Sequence, residues 1–182
     1  MKKVLVMLSG GVESTALVQT AITNDFDVEC LHVVWNNKTS IEGKHARMIA
    51  EYYDVPYSEM RIEADEFKKY KDAPRKDSTW WACGLLTYGP IGGYNELWFG
   101  THRDEGSPTA LGPAGLTLML QSVGCNATVE TPLHMHSKQE QWSFLPNKVR
   151  EMVTTCNNPG KDEEPCGKCE KCIEWKSFAI NV

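Results

Sequence analysis

Near the N-terminus, seven consecutive residues combine two glycines with three hydroxyls and one carboxylate, in the string SGGVEST from Ser9 to Thr15. They follow an aliphatic run and precede a segment whose apolar residues have helical spacing. Glycines let the backbone turn sharply and present successive N–H groups to an anion, while a following helix directs its positive end to the same place. The string therefore predicts a phosphate site, although an ordinary strand-to-helix turn capped by Ser or Glu would use the same residue types.

Two common nucleotide-binding strings are absent from the chain. Neither GxxxxGK[ST] nor GxGxxG occurs anywhere in it. The first string needs a lysine that reaches the β- and γ-phosphates, and the second marks dinucleotide sites. A phosphate site at Ser9 to Thr15 must therefore bind its ligand in another way.

A second group of reactive residues lies near the C-terminus, where four cysteines have the spacing C-x9-C-x2-C-x2-C. They are Cys156, Cys166, Cys169 and Cys172. Four thiolates around one ion make a closed, structural zinc site, because no position is left for water. The same spacing could hold an iron–sulfur cluster or remain without a metal. His134 and His136 could share one face, but further ligands for a metal there are not evident.

Strands and helices alternate along the chain, which predicts an α/β fold with a parallel sheet and helices on both of its sides. We predict strands at 3–8, 27–35, 56–63, 96–102 and 127–133. We predict helices at 14–24, 41–55 and 115–123, and a further helix of uncertain length after residue 78 that ends at Gly89-Pro90. From residue 137 the pattern changes to short helices around the cysteines. We therefore predict domains at 1–136 and 137–182, without a sharp boundary between them.

Composition narrows the class of protein further. The chain has 182 residues, 41% of them hydrophobic, and a formal net charge of −5 without a long basic block, so we do not expect nucleic acid as a partner. No apolar stretch approaches the roughly 18 to 20 residues of a membrane span, and the N-terminus does not read as a secretion signal. The odd count of seven cysteines argues against a disulfide framework, so we expect a cytoplasmic protein.

Three segments together resemble the 7-cyano-7-deazaguanine synthase family of PP-loop ATP pyrophosphatases. They are the loop at Ser9 to Thr15, which is similar to the SGGxDS signature of PP-loop enzymes, the string TPL followed by a helix with Lys138 and Glu140, and the string CGKCEKC. The resemblance implies an adenine nucleotide alpha hydrolase-like, Rossmann-like fold with a small zinc-binding segment. It also implies a homodimeric enzyme that uses ATP and Mg²⁺ to adenylate 7-carboxy-7-deazaguanine and then adds ammonia, giving an amide or the nitrile.

The same resemblance implies roles for particular residues. Pyrophosphate and Mg²⁺ would be bound by Ser9, Gly10, Gly11, Glu13, Ser14 and Thr15. Adenine would meet the end of the second strand at Val33, Val34 and Trp35, and the α-phosphate would lie beside Gly100 and Thr101. Glu13 stands where the family has aspartate and would serve the metal. Lys138 would offset phosphate charge, although a solvated helix lysine explains it equally well.

The region that would read the deazaguanine base departs from the family, because DSTWWACG stands where a proline-glycine-arginine-asparagine string is usual. Carboxylates can accept a pair of hydrogen bonds from a guanine-like edge, and a tryptophan can stack on a flat base, although two tryptophans near a helix start, as at Trp80 and Trp81, are more often core residues. The candidate substrate contacts are Trp80, Arg103, Asp104 and Glu105.

Two other functions remain open on the sequence. A PP-loop sulfurtransferase or a reductase of adenylylated sulfate would need a reactive cysteine, which Cys83 or Cys125 could supply. A binding module without enzymatic activity would use the zinc segment to organise a partner surface.

Overall fold

Five parallel strands form the centre of the molecule in the order β3-β2-β1-β4-β5. The computed structural model describes residues 1–35, 41–62, 76–105, 111–156, 160 and 164–179, without the side chains of Trp35, residues 76–81, Glu105 and Leu111. The strands are β1 (Lys3–Met7), β2 (Asp27–Trp35), β3 (Tyr57–Ile62), β4 (Glu96–Trp98) and β5 (Thr128–Glu130). The helices are α1 (Val12–Thr23), α2 (Ile41–Tyr52), α3 (Lys76–Gly92), α4 (Leu111–Ser122), α5 (Lys138–Ser143), α6 (Asn147–Arg150) and α7 (Glu170–Ala179).

Helices cover both faces of this sheet, as the run of aliphatic residues in β1 requires. Val4 and Val6 point to a core with residues of α1 and α2, whereas Leu5 and Met7 point to a second core with residues of α3 and α4. Successive side chains of a strand alternate between faces, so a strand that is apolar at every position must be buried on both. The predicted α/β class is confirmed.

The predicted end of α3 at Gly89-Pro90 is wrong. The helix continues through Pro90 to Gly92, and Gly93 follows with a φ of +64°. Pro90 lies in the last turn, so its missing N–H removes a single hydrogen bond near the end of a helix that packs along the sheet. The other strands and helices occur close to their predicted places, with β4 and β5 shorter than expected.

The C-terminal helices pack against the first face of the sheet. Trp142 of α5 and Phe178 of α7 belong to the same apolar cluster as Val12 and Leu17 of α1. Helix α5 begins with a capping box, in which the Ser137 side chain accepts from the Glu140 N–H. The division into domains at residue 136 stays a prediction. Within the part of the chain that the structure describes, no helix has the length and apolarity of a membrane span.

Candidate functional site

The loop between β1 and α1 lies at the carboxyl edge of the sheet, beside the point where the strand order reverses between β1 and β4. Ligands bind at this position in open parallel sheets. Gly10 has a φ of +80°, and a Cβ there would lie 2.9 Å from the Glu42 carbonyl oxygen of α2, so the turn requires glycine. The Gly10 carbonyl accepts from the Thr154 N–H at 2.9 Å, which ties the loop to the chain segment after α6.

Hydroxyls inside the loop hold its shape. The Ser14 Oγ accepts from the Ser9 N–H at 3.1 Å and lies 3.0 Å from the Ser9 Oγ. The Thr15 Oγ1 donates to the Gly11 carbonyl at 2.6 Å and is fully buried. Thr15 therefore stabilises the start of α1, whereas Ser9 and Gly11 line an open cleft.

Helix α1 begins at this cleft without a side-chain cap on its first turn. The first N–H groups of any α-helix have no partner within the helix, and the helix dipole makes this end positive. Gly100, just after β4, approaches the same turn so closely that a Cβ would lie 2.9 Å from the Ser14 nitrogen and 2.8 Å from the Glu13 Cβ. Gly100 therefore lies directly against the first turn of α1, and the role of this loop as a phosphate cradle stays a prediction.

Glu13 and Lys138 form an ion pair at the edge of the cleft. The Lys138 Nζ lies 2.9 Å from the Glu13 Oε1 and 2.8 Å from an oxygen of Glu174 in α7. The Lys138 side chain is only 8% exposed, so it is not the solvated helix lysine that the sequence left open. Burial, the largest single cause, raises the pKa of Glu13 and lowers that of Lys138. The attraction between the two, added to a backbone hydrogen bond at Glu13 and to the Glu174 carboxylate beside Lys138, outweighs burial: the pKa of Glu13 is held below its ordinary value and that of Lys138 above it.

His102 extends this row of charged groups towards β4. Its Nε2 lies 3.7 Å from the Glu13 Oε1, and its Nδ1 lies 3.6 Å from Asp104. Sequence reasoning did not select His102 or Glu174. For His102 a signal existed, since it directly follows the Gly100-Thr101 pair at the end of a strand.

Gln141 connects the two chain segments that follow β4 and β5. This fully buried side chain donates from its Nε2 to the carbonyls of Thr101, Leu133 and His136, at 2.8, 3.0 and 3.3 Å. One amide thus joins the segments that follow β4 and β5, and it lies one turn after Lys138 on α5.

The four cysteines of the C-terminal segment converge. The Sγ atoms of Cys156, Cys166, Cys169 and Cys172 all lie within 4.8 Å of one another. Sulfurs bound at about 2.3 Å to one tetrahedral ion are roughly 3.8 Å apart, so the group is close to the size of a single-metal site. Backbone N–H groups of residues 168 and 169 lower the pKa of Cys166, whereas burial raises the pKa of Cys172 to about 12.

The remaining residues predicted to contact adenine or the base differ in exposure. Val34 is buried and Val33 is partly buried in the sheet. Arg103 and Asp104 are exposed in the 3-10 turn after β4. The side chains of Trp35, Trp80 and Glu105 lie outside the described residues.

The fold and this loop together define the structural class of the protein. A parallel sheet in the order 3-2-1-4-5, with a glycine loop and an uncapped helix at its switch point, is a PP-loop-like α/β architecture. The family model described as "Queuosine biosynthesis protein QueC" matches residues 3–73. The N-terminal part of the chain, which contains the loop at Ser9 to Thr15, is thus similar to this family, in line with the resemblance noted in the sequence. No curated protein matches the chain at a significant level.

Solved structures share the fold at low sequence identity. A predicted subunit of a tRNA methyltransferase from Methanocaldococcus jannaschii has a TM-score of 0.58 and 16% identity, over 78% of this chain and 72% of that chain. The U34-tRNA thiolase NcsA from Methanococcus maripaludis, solved with its [4Fe-4S] cluster, has a TM-score of 0.55 and 14% identity, over 99% of this chain and 66% of that chain. These likenesses concern the fold alone.

Proposed function

We propose that this protein is an ATP-dependent carbon–nitrogen ligase that activates the carboxylate of 7-carboxy-7-deazaguanine for attack by ammonia, in queuosine-type biosynthesis. The observation that carries the proposal is the phosphate cradle of Ser9 to Thr15, which lies inside the segment matched by the QueC family model. The product is the amide, or the nitrile if a second ATP removes the amide oxygen.

The chemistry explains why a phosphate cradle suits this substrate. A carboxylate is a poor electrophile until one oxygen becomes part of a leaving group, and attack of that oxygen on the α-phosphorus of ATP makes AMP that leaving group. Pyrophosphate departs in the first step, and AMP departs when ammonia attacks the carbonyl carbon. The uncapped turn of α1 and the Lys138 ammonium are suited to stabilise charge on the departing phosphates.

Glu13 is the residue that would hold Mg²⁺ beside the cradle. Its carboxylate is ionised at neutral pH, because its pKa is held below the ordinary value, and oxygen ligands are those that Mg²⁺ prefers. When bound, the ion would neutralise phosphate charge.

For the cysteine group we propose structural zinc. Four sulfurs within 4.8 Å suit one ion, whereas a [4Fe–4S] cluster holds each cysteine sulfur on a different iron and a [2Fe–2S] cluster divides them between two irons, so some of the sulfurs lie farther apart in both. Elemental analysis of the purified protein should find about one zinc per chain without iron; iron and labile sulfide would contradict this.

The proposed reaction is tested by incubating the protein with ATP, Mg²⁺, ammonium and 7-carboxy-7-deazaguanine, with mass detection of acid, amide and nitrile. We expect AMP and pyrophosphate only when the acid is present. Glu13→Asp should keep most of the activity, and Glu13→Ala should lose at least about a hundredfold, because it removes the ligand of the ion. ATP turnover that is indifferent to the acid would overturn the proposal.

A sulfur-transferring function is not favoured by the cysteines. Cys125 is buried and Cys83 is half-buried on α3, and neither is among the residues that line the cleft. Cys83→Ser and Cys125→Ser should therefore leave the ligase activity unchanged.

A further inference from the structure

Helix α7 supplies a second carboxylate partner to Lys138, a residue that lines the phosphate cleft. Glu174 lies two residues after the metal-site residue Cys172, and its Oε2 accepts from the Lys138 Nζ at 2.8 Å. The Lys138 ammonium thus bridges Glu174 and Glu13, two residues that are far apart in the chain.

Aromatic packing fixes this arrangement. Trp142 lies one turn after Lys138 on α5, and Phe178 lies one turn after Glu174 on α7; the two rings meet edge to face at 5.8 Å. Trp175 adds a second edge contact to Trp142, at 6.3 Å. Residues four apart share one face of a helix, so the packing of the rings brings the lysine and the acid together.

The two carboxylate partners of Lys138 differ in whether they could also bind the metal ion. Glu13 belongs to the phosphate loop and would turn to the metal when nucleotide is bound, whereas Glu174 lies on a helix outside the loop. A buried ammonium that loses one carboxylate needs another partner, because an uncompensated buried charge is costly. We propose that Glu174 is a positioning residue that holds the Lys138 ammonium in place and directed at the cleft; this inference rests on the proposed function.

The first test compares Glu174→Gln and Glu174→Asp with Glu170→Gln, an exposed acid on the same helix. In the ligase assay we expect Glu174→Gln to lower kcat roughly tenfold with little change in the KM for ATP, since a hydrogen bond to a charged group is lost. Glu174→Asp should recover part of the loss, and Glu170→Gln should match the parent protein. Equal activity of Glu174→Gln and the parent would overturn the inference.

A double-mutant cycle separates positioning from a general loss of structure. If Glu174 acts through Lys138, then Glu174→Gln has no further effect on kcat in a Lys138→Met background. Independent, additive losses would show that Glu174 acts by another route. Metal content and thermal midpoint are measured on every variant, and a variant that loses its metal counts against the inference.

A readout without turnover keeps this inference distinct from the proposed function. In protein with ¹⁵N-labelled lysine, the Lys138 ammonium should give a protected Nζ signal that is absent in Lys138→Met and is lost or weakened in Glu174→Gln but not in Glu170→Gln. If the parent protein makes no AMP from the acid, the proposed function fails; if the Nζ signal is unchanged by Glu174→Gln, the positioning role fails.

Discussion

Two residues of the short helix α5 organise the site in different ways. Lys138 forms ion pairs with two carboxylates at the cleft, and Gln141 donates hydrogen bonds to three carbonyls of the neighbouring segments. Both are buried, and burying a polar group without a hydrogen-bond partner costs free energy. Lys138 and Gln141 can face inward because the segments around α5 supply partners for the Lys138 Nζ and the Gln141 Nε2.

Replacing Gln141 by Leu should destabilise the protein by about 3 kcal/mol, because buried carbonyls lose their donor and each such loss costs roughly 1 to 3 kcal/mol. The matched control is Gln139→Leu on the exposed face of the same helix, where a change within about 0.5 kcal/mol is expected. Urea unfolding of both variants measures the difference. Similar midpoints for the two would show that Gln141 has no such role.

The sequence allowed some of these residues to be identified and not others. Ser9 to Thr15 could be selected because a phosphate loop is local, with strand, glycines and helix in one string. The burial of Lys138 could not be, since it depends on packing between α5, α1 and α7. Glu174 could not be selected for the same reason, because the residues around it do not indicate which helix it will contact.

Among the elements, the contact between the end of β4 and the start of α1 determines the shape of the cleft. Gly100 has no room for a side chain against Glu13 and Ser14. The sequence pattern predicts that Gly100 lies at a strand end but does not indicate this close approach, which arises from the pairing of β4 with β1. The prediction of where α3 ends was wrong for a similar reason, because packing along the sheet outweighed the local effect of Pro90.

Gly100→Ala should destabilise the protein by about 1 to 3 kcal/mol and weaken ATP binding at the same time, since the added methyl pushes the strand end away from α1. Gly115→Ala on α4 is the control: a Cβ there meets nothing within 4 Å, and alanine should stabilise the helix by about 0.5 to 1 kcal/mol. Thermal unfolding and calorimetry with ATP test both effects. Normal ATP affinity in Gly100→Ala would contradict the role of this contact.

At the scale of the whole molecule, we propose that two copies associate, as the family resemblance implied. Leu118 and Met119 of α4 are 66% and 54% exposed, and Val123 follows them at 67%. Side chains of this size grouped on one helix favour burial against another chain.

Analytical ultracentrifugation should therefore give twice the 20.5 kDa mass of the chain for the parent protein, and the mass of one chain for Leu118→Glu. Met48→Glu, an exposed apolar residue on α2, is the control and should remain dimeric. A parent protein that sediments at 20.5 kDa at micromolar concentration would exclude this association.

The contact between Lys138 and Glu174 also has a consequence for biosynthesis of the protein. The phosphate loop leaves the ribosome before Lys138 and Glu174, because both residues come much later in the chain. A nascent chain can thus form its first strands and helices before its phosphate cleft has a full set of charges. Ribosome-bound chains arrested before α7 should accordingly fold in part while remaining inactive towards ATP.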